Sequence, residues 1–112
     1  MKKTIIIKKN YEFKNFFKKG KFFSGNYLEI FIHKNNKDHN KLGVVTSKKI
    51  GKRVERNRVK RLIKENYTIL EKEMNIGFNI VISFKKNVES KDVNFYIIKD
   101  ELIDLFKRAG LL

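Results

Sequence analysis

Ser47-Lys-Lys-Ile-Gly-Lys-Arg-Val-Glu-Arg-Asn-Arg-Val-Lys-Arg-Leu-Ile-Lys-Glu65 is the stretch around which this chain is organised. Of the five arginines, four (Arg53, Arg56, Arg58 and Arg61) fall within nine residues of it. Elsewhere the positive charge is lysine, Arg108 excepted. A guanidinium is a planar fork of donors suited to phosphates and base edges, and lysine does not replace it there. Val59, Leu62, Ile63, Tyr67, Leu70 and Met74 recur at helical spacing, which predicts a helix from about Val54 to about Met74 with an apolar side. Asn57, Arg61, Lys64 and Thr68 fall on the other side. One face packs on a sheet, and the other shows a basic stripe. A basic helix start opposes the macrodipole at about 0.3–1 kcal/mol per charge. A local rule broken in this way points to a functional site, and the open amides of the first turn add to an anion site. A run of charge is usually a solvated face. Here the arginine bias is local, Glu55 is the one acid between Lys48 and Lys64, and the run crosses a strand-to-helix junction.

Working outward, residues 1–9 read as a basic, extended arm. Asn10 caps a helix from Tyr11 that stops at Gly20, with Phe13, Phe16 and Phe17 on one face. Those rings are either core or a surface on which bases stack. Lys21 to Phe23 is a short strand and Ser24-Gly25-Asn26 a turn. Tyr27 to His33 alternates, with Leu28, Ile30 and Ile32 on one face and Tyr27, Glu29, Phe31 and His33 on the other. A polar loop from Lys34 to Lys41 leads to a second full strand, Leu42 to Thr46, antiparallel to the first. After the turn at Asn75-Ile76-Gly77, Phe78 to Phe84 is apolar enough to be buried on both faces. The last helix starts near Asn94 and ends at Gly110, its inner face being Phe95, Ile98, Leu102, Leu105 and Phe106.

The composition excludes much. With 112 residues and no visible linker, residues 1–112 form a single domain. A net charge of +15 attracts nucleic acid or an anionic surface and opposes compaction until a partner neutralises it. The absence of cysteine excludes disulfides, thiolate catalysis and cysteine zinc sites. Lys8 ends the amino-terminal apolar run too early for a secretory core, and no window reaches the length of a membrane span. The expected location is the cytoplasm, with no membrane partner. No nucleophile elbow, metal-binding histidine pair or phosphate loop is present, so no catalytic and no metal residues are assigned. His33 and His39 lack a ligand spacing and read as ordinary surface residues. From the residues alone the chain is an RNA- or DNA-binding α+β domain.

The motifs Ser47-Lys-Lys-Ile-Gly51 and Arg56-Asn57-Arg58-Val59-Lys60-Arg61-Leu62-Ile63-Lys64 resemble the bacterial ribonuclease P protein family, whose signature Arg-Asn-x-x-Lys-Arg stands here as Arg56, Asn57, Lys60 and Arg61. Asn10-Tyr-Glu-Phe13, Phe17-Lys-Lys-Gly20 and Leu105-Phe-Lys-Arg108 fit too, so the resemblance runs from about residue 5 to residue 110. It implies an α+β sandwich of order α-β-β-β-α-β-α, with helices packed on a four-stranded sheet and a left-handed β-α-β crossover. The general rule of right-handed crossovers gives the opposite hand. It also implies an accessory role: a catalytic RNA subunit with Mg²⁺, held mainly by RNA and substrate, removes the 5′ leader of precursor tRNA. The protein binds that RNA and the leader, and no DNA is expected. Lys48, Lys49, Lys52, Arg53, Arg56, Asn57, Lys60, Arg61 and Lys64 would face RNA, and Phe13 and Phe17 would line the leader groove. The strand position often aromatic in the family reads as Ile32 here. The alternative is a non-enzymatic RNA-binding module, like a ribosomal protein or RNA chaperone.

Overall fold

The computed structural model describes residues 3–7, 20–46, 51–86 and 88–112. In chain order these form β1 (Thr4–Ile6), β2 (Lys21–Ser24), β3 (Leu28–Lys34), β4 (Asn40–Val45), α1 (Arg53–Leu70), β5 (Phe78–Phe84) and α2 (Phe95–Arg108). Short 3₁₀ turns lie at Glu71–Glu73 and Ser90–Asp92. The helix expected over residues 11–19, with Phe13, Phe16 and Phe17, lies outside the described residues.

β5 is the middle of the sheet, whose order is β1-β4-β5-β3-β2. Ile80, Val81 and Ile82 are fully buried in succession, so both of its faces are covered, as its apolar run requires. It pairs antiparallel with β3 and parallel with β4. This corrects one expectation: β3 and β4 do run in opposite directions, but β5 separates them. A strand without a polar face or a polar edge takes the position with two neighbours. The parallel connection from β4 to β5 runs through α1, because parallel strands need a long crossover.

Among the described residues the sheet has five strands rather than the four expected. Thr4–Ile6, read as an arm, pairs parallel with β4, Thr4 opposite Asn40 and Ile6 opposite Leu42. The run Thr-Ile-Ile is β-branched and suits a strand, and contacts distant in sequence secure it. The Thr4 hydroxyl bonds the Tyr67 hydroxyl at 2.8 Å, and the amide of Ile7 donates to the Leu42 carbonyl at 2.7 Å.

One face of the sheet carries both helices. Leu28, Ile30, Ile32, Leu42, Ile80, Ile82 and Phe84 meet Val59, Ile63, Tyr67 and Leu70 of α1 and Ile98, Leu102, Leu105 and Phe106 of α2. Leu62 and Phe95, placed on the inner faces from spacing, are only partly buried. The Tyr67 and Phe106 rings meet edge to face at 6.2 Å. The two helices share one buried amide: Asn66 Nδ2 donates to the Leu62 carbonyl at 3.0 Å and to that of Phe95 at 3.1 Å. Asn94 caps α2, its Oδ1 accepting from the Ile97 amide at 2.9 Å. On the opposite face a smaller cluster joins Ile7 and Val81, with Phe31 and Val45 against them.

A single carboxylate holds the β2–β3 turn. Glu101 of α2 accepts from the amides of Asn26 (2.6 Å), Tyr27 (3.0 Å) and Leu28 (2.6 Å). Gly25 makes this approach possible, since a Cβ there would stand 2.6 Å from the Glu101 carboxyl carbon. Arg108 completes the grip, donating to the Ser24 carbonyl at 3.0 Å.

Replacing Glu101 by alanine is expected to lower the free energy of unfolding by roughly 1.5–3 kcal/mol, the range for hydrogen bonds to a charged group. Urea unfolding checks this, and a loss below half that range would show that water substitutes for the carboxylate. Tyr67 gives a pH test. Burial pushes its phenol above the ordinary value of 10.0, with the Thr4 and Asn40 side chains offsetting part of the effect. The folded state therefore keeps the proton that the unfolded chain releases. The contribution is complete below about pH 10 and is lost as pH rises through the folded value. Unfolding free energies measured toward alkaline pH should fall more steeply for the parent than for Tyr67→Phe.

Candidate nucleic-acid interface

α1 begins without a side-chain cap: Lys52 stands at the N-cap position in extended backbone, with no cap bond from its side chain. Gly51 before it has φ +140°, a conformation that suits glycine. A Cβ at Gly51 would also collide with the Glu55 carboxylate. That carboxylate, the acid of the first turn, favours a helix start that Arg53 and Arg56 oppose.

The arginines then part company. Arg58 is spent on the fold: its Nη1 donates to the Ser90 carbonyl at 2.9 Å and its Nη2 to that of Val93 at 2.7 Å. It ties the start of α1 to the turn before α2. Arg56 is half-buried and turns back on its own junction, Nη1 donating to the Gly51 carbonyl at 3.1 Å. Arg53 and Arg61 are exposed, and no ion pair among the described residues engages them.

Asn57, Lys60, Arg61 and Lys64 come together along the outer face with Glu65 and Thr68, around a shallow depression of about 420 Å³. Four residues assigned to RNA from the sequence thus share one surface, and Lys52 and Arg53 stand at its amino end. Lys48, Lys49, Phe13 and Phe17 lie outside the described residues. The stripe is cationic or neutral apart from Glu65 and does not suit a divalent cation. Nor does any cluster of three or more His, Asp or Glu side chains able to hold a metal occur among the described residues. The histidines are otherwise engaged, His33 Nε2 with Asn79 Nδ2 at 3.2 Å and His39 Nδ1 with Asp38 at 3.0 Å.

Ile32, read as the strand position often aromatic in the family, lies on the helix side of the sheet. It is 4 % exposed and faces the helices. Its neighbour Phe31 lies on the opposite face, where the ring of Phe22 from the edge strand meets it at a tilt of 49°, centroids 4.8 Å apart. Phe22 is 49 % exposed. The alternation of β3 held the signal, for Phe31 belongs to the set opposite Leu28, Ile30 and Ile32. A slip of one residue moves a side chain through the sheet.

With this geometry in place, comparison with known proteins gives a consistent result. The family described as Ribonuclease P matches residues 1–110. The chain is 44% identical over 106 residues to a ribonuclease P protein component of Clostridium botulinum (strain Loch Maree / Type A3), covering 94% of each. It is 41% identical over 110 residues to that of Clostridioides difficile (strain 630), covering 97% of this chain and 95% of the other. Among solved structures, the RNase P protein of Staphylococcus aureus superposes with a TM-score of 0.84 at 30% identity, over 95% of both chains. That of Thermotoga maritima gives 0.83 at 30% identity, over 93% of this chain and 96% of the other.

Arg58 and Arg61, both exposed on α1, should separate on substitution. Arg58→Ala removes two charged hydrogen bonds and is expected to cost roughly 1.5–3 kcal/mol of stability. Arg61→Ala should stay within about 0.5 kcal/mol of the parent, as surface substitutions do. Chemical denaturation of both variants checks the division, and equal losses would overturn it.

Proposed function

The chain belongs to the ribonuclease P protein family, and from that premise we propose that it is the protein subunit of a ribonuclease P. In this reading the partner RNA, with Mg²⁺ held by RNA and substrate phosphates, cuts precursor tRNA to release its 5′ leader. The chain supplies binding and positioning, and no side chain here performs the cleavage. The work takes place in the cytoplasm; no helix among the described residues is long and apolar enough to cross a membrane.

The observation that carries the reading is the gathering of Asn57, Lys60, Arg61 and Lys64 on one outward stripe of α1, continued by Lys52 and Arg53. Guanidinium and ammonium groups without protein partners among the described residues suit phosphate oxygens, and so do the amides of the first turn of α1. Lys48 and Lys49 adjoin this stripe in sequence and extend the same role. Arg56 reaches RNA only with the part of its fork that Gly51 leaves open.

The leader, a single strand, needs a stacking surface rather than a charge stripe alone. Phe31 and Phe22 offer paired rings on the sheet face away from α1, and every base has a face that stacks on such a ring. Phe13 and Phe17 remain assigned to the same groove. Phe31 replaces Ile32 as the strand's contribution.

The test is reconstitution. Added to its cognate RNA, the chain should raise the rate of precursor tRNA cleavage at low Mg²⁺, with a gain that shrinks as the leader is trimmed. Equal benefit for trimmed and long leaders would remove the groove, and no benefit at all would leave an RNA-binding module without a cleavage partner. Arg61→Ala is expected to weaken RNA binding by roughly 1–3 kcal/mol. Phe31→Ala should cost about 1–3 kcal/mol of leader affinity if one base stacks there.

A further inference from the structure

A second pocket, apart from the stripe on α1, opens where α2 ends before the sheet does. It measures about 530 Å³, within the size range of small-ligand sites. Ile32 and Phe78 form an apolar floor on the helix side of the sheet, and Gly110 walls one side. A Cβ at Gly110 would meet nothing within 4 Å, so the space before it is open. Lys21 and Lys34 stand at the rim.

These two lysines are brought together by register. Lys21 lies opposite Ile32, and Lys34 follows two residues later on the same face, opposite Phe78. Diagonal neighbours of this kind in an antiparallel pair are about 7–8 Å apart. Among the described residues no carboxylate lines the pocket and no ion pair engages either ammonium. The end of α2 does not need them as caps, since the amides of Gly110 and Leu111 take the carbonyls of Lys107 (3.2 Å) and Phe106 (2.8 Å). His33 also lines the pocket, its imidazole engaged by Asn79. Two like charges held side by side over an apolar floor with a phenyl ring call for a flat ring that carries an anionic group.

We propose that this pocket binds one nucleotide, its base on Ile32 and Phe78 beside Gly110 and its phosphate between Lys21 and Lys34. That chemistry has two sources, a free mononucleotide or the phosphorylated end of an RNA strand. Neither depends on the stripe of α1 or on the Phe22–Phe31 pair.

The probe is uridine 5′-monophosphate, titrated into the full chain and followed by amide chemical shifts and calorimetry. It should shift the amides of Lys21, Ile32, Lys34 and Gly110, with uridine and inorganic phosphate each binding about tenfold or more weakly. The double substitution Lys21→Gln, Lys34→Gln changes exposed side chains only, so the fold should persist with an unchanged melting temperature. It should reduce nucleotide affinity about tenfold or more. A short RNA with a 5′-phosphate that competes with the probe, where its 5′-hydroxyl form does not, assigns the site to strand ends; no difference assigns it to free nucleotides. Shifts spread along α1 instead of the pocket, or affinity unchanged by the double substitution, would overturn the proposal.

Discussion

The burial of β5 on both faces is the constraint from which the rest follows. Phe78–Phe84 has little polar character to show to solvent, so it needs a strand on each edge and a layer on each side. β3 takes one edge antiparallel and β4 the other parallel. A parallel neighbour cannot be reached by a tight turn, and the link from β4 to β5 becomes α1. The helix that covers the sheet is thus also the one that carries the basic stripe on its outer side. The charge is carried by an element the core already demands, which limits the flexibility of the basic groups.

That double duty appears in the arginines, which share a residue type and divide the work. Arg58 spends its fork on two carbonyls near the start of α2. Arg61, one turn further along, meets no protein partner among the described residues. A guanidinium that bridges two backbone oxygens ties α1 to the turn before α2, and one left exposed suits an anion. Nothing in the string Arg-Asn-Arg-Val-Lys-Arg distinguishes these roles, because the carbonyls that claim Arg58 lie more than thirty residues away. The division is set by tertiary packing.

What was legible depended on periodicity. The inner face of α1, the inner face of α2 apart from half-exposed Phe95, and the alternation of β3 all follow from spacing, since burial repeats with the turn of a helix or the pleat of a strand. The stripe of Asn57, Arg61 and Lys64 came from the same count. Pairing was not legible. Three strand residues between lysines are a weak local signal, and it is the pairing with Asn40 to Leu42 and the contact with Tyr67 that make Thr4–Ile6 a strand. The separation of β3 from β4 depended on a strand more than thirty residues further on. The alternation of β3 turns Phe31, and not Ile32, to the face away from the helices. The family resemblance supplied function, which composition narrowed only to nucleic acid.

The strand order has a consequence for how the chain is made. β5, the middle of the sheet, is the last of its strands to leave the ribosome, and Glu101, which holds the β2–β3 turn, follows later still. Until then β3 and β4 lack the neighbour between them, and the amino-terminal half is an unsatisfied, lysine-rich polymer. Such a chain emerges into surroundings crowded with RNA while it has no finished surface with which to discriminate. For this topology, selectivity therefore arrives only once β5 and Glu101 have been made, and until then the nascent segment meets polyanions as a simple polycation.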